Sequence, residues 1–458
     1  MKEMKILSPS GIVGYGFPEA SFYAGVKQKP DLIACDGGST DPGPYYLGSG
    51  KPFTSRSAVK RDMTMMLCAA CELGIPLVIG TCGGSGGTPH LAREIGIVLE
   101  IAKEKGLSFK LASISAELDQ TFLVRELDKG RILPLGAAPA VSAGDISDCS
   151  RVVAQMGIEP IIAALDAGAQ VVLCGRCYDP AAFAAPAIRL GFDEALATHL
   201  GKILECACVA ATPGSASDCM MGYLYADSFA VEPCSPERIC TVTSVAAHTL
   251  YEKSNPYLLP GPGGTLDLQN CSFTQETARR VRVTGSRFIP QERKNVKLEG
   301  ARLTGYRCIS ICGNRDPLFI RELDHTIAGV KRRTEENLSG SGIAYRLDFI
   351  VYGKDGVMGA LEPAPAVTSH EVGIVIDVVA DTQEHADTVC AVARSTMLHY
   401  GYPCRMATAG NLAFPYSPSD IGVGAVYTFA VYALLENGQP EALFPRTFYT
   451  VEKGELRA

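Results

Sequence analysis

The stretch Gly80–His90, read Gly-Thr-Cys-Gly-Gly-Ser-Gly-Gly-Thr-Pro-His, constrains this chain more than any other. The apolar run Ile75–Ile79 before it has the length of a buried strand. Apolar residues at Leu91, Ile95, Val98, Leu99 and Ala102 follow at helical spacing. Thr88 suits an N-cap, Pro89 the first helical position and Gly106 the C-terminal stop. The element is therefore strand, glycine loop, helix. Gly83, Gly84, Ser85, Gly86, Gly87 and Thr88 can turn tightly and present backbone N–H groups at a helix N-terminus, which favours phosphate or carboxylate. The rival reading is a tight turn that binds nothing. No lysine follows the glycines, which excludes a P-loop, and the spacing is not that of a dinucleotide fingerprint.

Around this element the first half alternates strand and helix. Strands are expected at Met4–Ser8, Asp31–Cys35, Phe109–Ile114, Ile132–Leu135 and Gln170–Cys174. Helices are expected after Pro18, over 56–73 before Gly74, over 121–128, over 161–167 and from Pro180 to Leu190. Such alternation predicts an α/β fold with a mostly parallel, doubly wound sheet. Its ligands would lie beyond the carboxyl ends of the strands. The strand-end loops Ser8–Phe17, Asp36–Gly43, Gly80–His90, Ser115–Asp119 and Gly175–Asp179 are therefore expected to line one cleft.

Further on, helices are expected over 192–211 and 245–253, an irregular loop over 258–264 and a surface strand within 274–284. From Gly305 the order is strand, helix, strand, strand, helix, strand, the split βαβ order of a ferredoxin-like α+β domain. The expected domains are 1–290, carrying the strand-end site, and 301–458.

The net charge of −7 argues against nucleic acid as the main partner. No apolar run is long enough to span a bilayer, and the first residues lack a signal-peptide hydrophobic region. Seventeen cysteines in 458 residues do not make a disulfide scaffold, and many sit in apolar contexts, so a reduced cytoplasm is expected.

Several strand-end residues suit chemistry. Asp36 and Asp41 share a loop and can act as acid and base or hold a divalent cation, or can simply make Asx turns. Asp119 suits the N-cap of the next helix, which leaves Glu117 as a general base. Arg176, with Asp179 beside it, can clamp a substrate carboxylate or pair with an internal acid. Cys82 near a helix N-terminus can line the ligand site or act as a nucleophile. Cys174 and Cys177 form a lone C-x-x-C, so structural zinc is not expected.

One segment carries a resemblance. Thr243-Ser-Val-Ala-Ala-His-Thr-Leu-Tyr-Glu, then Tyr257-Leu-Leu-Pro, then Arg280-Val-Arg-Val-Thr-Gly-Ser resemble the acyclic terpene utilisation (AtuA-like) family. The likeness extends more loosely over the N-terminal domain, and the C-terminal part departs from the family pattern. The resemblance implies catabolism of branched terpenoid acids, where acyl-CoA hydration and lyase steps occur. In some relatives a small separate protein accompanies such chains.

The reading that combines these features is a lyase of the hydratase or dehydratase type. Its substrate is a small carboxylic or hydroxy acid or its CoA thioester. Asp36 or Glu117 moves the proton, Arg176 holds a carboxylate and the Gly83–Gly87 amides hold a second anion or an enolate. The alternatives are a non-catalytic acyl-CoA- or carboxylate-binding subunit and a thiol-dependent transferase using Cys82. A homo-oligomer, with or without a small partner subunit, is expected. No cofactor or metal is assigned, and no tightly bound nicotinamide or flavin is expected.

Overall fold

The computed structural model describes residues 3–251, 255–406 and 411–457. The chain is mixed α/β and forms two compact units, Met1–Arg302 with Phe429–Ala458, and Leu303–Thr428. Among the described residues no helix is long and apolar enough to cross a membrane.

The first unit is built on an eleven-stranded sheet. Its order is Ser272–Gln275, Val281–Thr284, Phe229–Pro233, Met220–Leu224, Met4–Ser8, Leu32–Cys35, Leu77–Ile79, Val171–Cys174, Phe109–Ile114, Arg446–Glu452 and Glu455–Arg457. The five strands from Met4–Ser8 to Phe109–Ile114 pair in parallel. The strands on either side pair antiparallel. The parallel strands are apolar because both their faces are covered. Ile6, Leu32, Ala34, Val78 and Val172 face one core, closed by the helices Glu159–Asp166, Ala181–Arg189 and Glu194–Leu204. Leu7, Ile33, Leu77, Ile79 and Val171 face the other, closed by Arg56–Leu73 and Thr88–Lys105. Burying one such Leu or Ile side chain fully contributes about 1.5–3 kcal/mol. The two cores thereby hold strands as short as Leu77–Ile79.

The parallel expectation thus holds for the five central strands, and the antiparallel flanks correct it. The run 220–233 folds as a hairpin of two buried strands where the sequence reading assigns nothing. The expected strand at 132–135 forms over Ile132–Pro134 but pairs with Ala433–Leu435. Leu133 there is 40% exposed, which a strand covered on both faces would not allow. The expected loop at 258–264 is a hairpin of Leu258–Gly261 and Gly264–Asp267. The helix expected over 192–211 stops at Leu204, and a 3₁₀ turn, Ala207–Ala210, follows. Ala207 has a φ of 49°, which interrupts the α-helical ladder. The helix expected over 245–253 is Val242–Leu250, and residues 252–254 lie outside the described residues.

In the second unit, residues 306–314 pair antiparallel with Val372–Ala380, which pairs antiparallel with Tyr345–Tyr352. The helices Leu323–Leu338 and Gln383–His399 bury Val330, Val389 and Ala393 against Ile374 and Ile376. The unit ends at Thr428, whereas the sequence reading keeps all of 301–458 together. The return has a physical cause: Arg446–Glu452 completes the edge of the first unit's sheet by pairing with Phe109–Ile114.

Candidate active site

At the carboxyl ends of the parallel strands the first unit holds a cavity of about 230 Å³. Tyr15 reaches it from the loop after Met4–Ser8, Asp36 and Asp41 from the loop after Leu32–Cys35, and Asp179 from the loop after Val171–Cys174. Glu205, Cys206 and Tyr251 complete it from the helical segments. Three of the five expected loops therefore line this cavity. Gly80–His90 and Ser115–Asp119 do not.

Asp36 is the central titratable group. It is 6% exposed. One carboxylate oxygen accepts a 2.9 Å bond from the Gly37 N–H. Burial first, and then the negative charge of Asp179, raise its pKa well above the ordinary 3.8, against the pull of Arg176. Asp36 is thus a carboxyl group that keeps its proton beyond the usual carboxylate range. Asp41, by contrast, is exposed at the rim, where the Ser39 hydroxyl donates to it at 2.8 Å.

Arg176 is not a free clamp. It is 2% exposed. Its Nε donates to Glu299 at 2.8 Å, and its Nη1 donates to Asp179 at 2.9 Å and to the Cys177 carbonyl at 2.7 Å. Lys297 Nζ lies 2.6 Å from the other Glu299 oxygen. Burial opposes the charges of both partners. For Glu299 the Arg176 and Lys297 charges outweigh it and bring the carboxyl down to about 2. For Arg176 the acids outweigh it and hold the guanidinium protonated. The internal ion pair, one of the two roles open in the sequence, is what the geometry contains.

The glycine loop is equally engaged. Gly87 N–H donates to His90 Nδ1 at 3.2 Å, and Thr88 N–H to Glu117 at 2.7 Å. His90 Nε2 then donates to the Lys51 carbonyl at 2.9 Å. The helix N-cap is Gly87, not Thr88. Glu117 is itself the anion at this N-terminus, which replaces its expected part as a cleft base. A Cβ on Gly86 would collide with the Arg176 backbone nitrogen, and one on Gly37 would lie 2.6 Å from the Gly80 and Thr81 carbonyls. The glycines thus let three strand-end loops pack backbone on backbone, and this packing positions Asp36 and Arg176. Gly83, Gly84, Ser85, Gly86, Gly87 and Thr88 do not reach the cavity. Gly86→Ala should cost several kcal/mol, because a φ of 67° compounds the clash. A melting temperature within a few degrees of the parent's would contradict this.

Cys82 is fully buried, and burial followed by the nearby Glu94 pushes its thiol well up, so the helix N-terminus does not activate it. Cys174 and Cys177 are likewise buried free thiols. Among the described residues no group of His, Cys, Asp and Glu is arranged to hold a metal ion. In the native protein, iodoacetamide should label the exposed Cys404 first and spare Cys82 and Cys174 until unfolding. Peptide mapping that finds Cys82 modified in folded protein would reverse that conclusion.

Sequence reasoning missed Lys202, Glu205 and Tyr251. Lys202 Nζ lies 2.7 Å from Glu205, both buried, and 5.0 Å from the Tyr251 ring centre. A signal was present: Lys202 and Glu205 interrupt the otherwise apolar run Leu200–Ala211. Charged side chains are almost never fully buried unless paired.

The family model for the acyclic terpene utilisation protein AtuA matches residues 56–223 and 228–414. The match covers three of the five strand-end loops of the first unit, Gly80–His90, Ser115–Asp119 and Gly175–Asp179 but not those of Tyr15 and Asp36, and most of the second unit, further toward the C-terminus than the resemblance seen in the sequence. No curated protein and no solved structure matches.

Proposed function

The chain belongs to the acyclic terpene utilisation AtuA family, and on that premise we propose that it is a catabolic enzyme of the hydratase or dehydratase type. The substrate is a small acyl compound whose reacting end enters the cavity at Asp36. Asp36 carries the proposal: it is a carboxyl at a cavity wall, with a pKa raised by burial and by neighbouring acids. Adding or removing water next to a carbonyl needs one group to move a proton at carbon and another to protonate or deprotonate oxygen. A carboxyl whose pKa is raised can hold the proton that one of these steps needs, and give it up to the other. Asp179 and Glu205 stand on the same cavity as the second acid or base. Unequal carboxyl environments are how neighbouring acids take different roles. No step is assigned to Glu117, Cys82 or the glycine amides, which are engaged in the fold.

The doubly wound reading of the first unit is supported by helices on both sheet faces. The ferredoxin-like reading of residues 303–428 is supported by their element order. The test of function is direct. Purified protein should convert a branched 2-enoyl-CoA to its 3-hydroxyacyl-CoA, or the reverse, as followed by loss or gain of enoyl absorbance and by mass spectrometry. Absence of water addition and of water loss across a panel of acyl thioesters would overturn the assignment.

A further inference from the structure

The second unit ends its sheet on an open edge. Tyr345–Tyr352 pairs antiparallel with Val372–Ala380 on one side, and among the described residues no strand pairs with the other. Natural sheets blunt such edges with proline, bulges, a short length or charge. This strand runs eight residues without proline, glycine or a shift of register. Its charges are Arg346 and Asp348, one of each sign. Charges of a single sign repel a second copy of an edge, whereas one of each sign repels or attracts according to register.

Leu347 and Val351 lie in the unit's core, with Tyr345 and Phe349 packed on it. Arg346 and Asp348 alternate with them onto the other face, with side chains 62% and 47% exposed. Within the chain these two charges are 2.9 Å apart. Lys331 lies 3.8 Å from Asp348, and Asp377, opposite Asp348 on the inner side, is held by Arg307 at 2.8 Å. A second copy added about a two-fold axis runs antiparallel, and each residue must meet one of its own face for the core side to continue. Centring the pairing on Arg346 or on Asp348 sets like charges opposite each other, which is destabilising. Centring it on Phe349 sets Tyr352 and Ile350 opposite the two charges. Centring it on Leu347 sets Arg346 of each copy opposite Asp348 of the other, and Tyr345 opposite Phe349. Opposite charges and aromatic pairs are both favourable across strands. Each charge keeps its neighbour in its own strand and gains one in the other, which closes a ring of four alternating charges. Such a network contributes where a single exposed pair contributes little.

We propose that Tyr345–Tyr352 is a self-association edge, which pairs antiparallel with the same strand of a second copy in the register centred on Leu347. The inference is independent of the reaction proposed above. Sedimentation velocity of the full-length protein at about 100 µM, above the micromolar end of the affinities that protein interfaces show, should give a dimer. Asp348→Arg sets like charges opposite each other on both sides of the two-fold axis and should weaken dimerisation at least about tenfold. Arg346→Asp combined with Asp348→Arg rebuilds the ring with its signs exchanged and should return the affinity to within about threefold of the parent's. Both side chains are exposed, so thermal melting should show all three proteins equally folded. A monomer at that concentration would leave the edge to a different protein and overturn the inference. A dimer that Asp348→Arg leaves intact, or a double variant that stays dissociated, would overturn it equally.

Discussion

Asp36→Asn should abolish turnover while leaving the protein folded and, at neutral pH and above, at least as stable as the parent. A positioned acid or base contributes typically 10²–10⁴-fold, and a loss of about that size is expected in kcat. The stability side follows from the direction of the pKa shift. Asp36 binds its proton more tightly in the folded protein than in the unfolded chain, whose value is near the ordinary 3.8. As pH rises above that value, the unfolded chain releases its proton and is favoured. Folding stability therefore falls until the pH passes the folded-state pKa. Asn has no proton to lose, so the variant should escape this loss. Its melting temperature should drop less between pH 4 and pH 8 than the parent's. Parallel melting curves over that range would show that Asp36 is not held protonated. Undiminished kcat would remove it from the reaction.

The second large effect is structural. Arg176→Ala should destabilise the first unit by about 3–5 kcal/mol, because it leaves a buried carboxylate without its partner. Glu299, at 0% exposure, has no route to water and keeps only Lys297. Arg176→Lys should be nearly as damaging. A single ammonium cannot reproduce the 2.8 Å Nε bond to Glu299 and the 2.9 Å Nη1 bond to Asp179 together. Pairing Arg176→Met with Glu299→Leu should recover much of the stability lost in either single variant, since the pair is then replaced by apolar volume. Chemical denaturation of the four proteins measures the coupling directly. Additive effects would mean that the two side chains do not interact in solution. The pair also sets an acid limit. Glu299 falls in the fold to about 2 from an ordinary 4.5. It stabilises the fold above the higher value, and that contribution disappears as pH falls toward the lower one.

The parts of this protein legible in its residues are local ones. Gly74 and Gly106 end their helices in left-handed conformations, at φ 65° and 64°. Asp119 caps its helix by accepting from the Phe122 N–H at 2.8 Å. Both were readable because a cap is decided within one turn of chain. The central strands were readable because burial on both faces leaves an unbroken apolar run. The flanking hairpins were not, since pairing direction is set by the connection in space and not by the residues of one strand.

The sequence alone therefore determined the five-strand core, the glycine turn into a helix and the strand-end position of Asp36, all carried by spacing and backbone preference, while the family kinship rested on the resemblance of particular segments. Only the tertiary structure decided what the charged groups do. Arg176 finds Glu299 at a separation of 123 residues, and the Thr88 N–H finds Glu117 at a separation of 29. Asp36 keeps its proton because burial keeps water away from it and because Asp179 and Glu205 are brought beside it. An ionisable side chain takes its role from its neighbours and its burial, and both are properties of the folded chain.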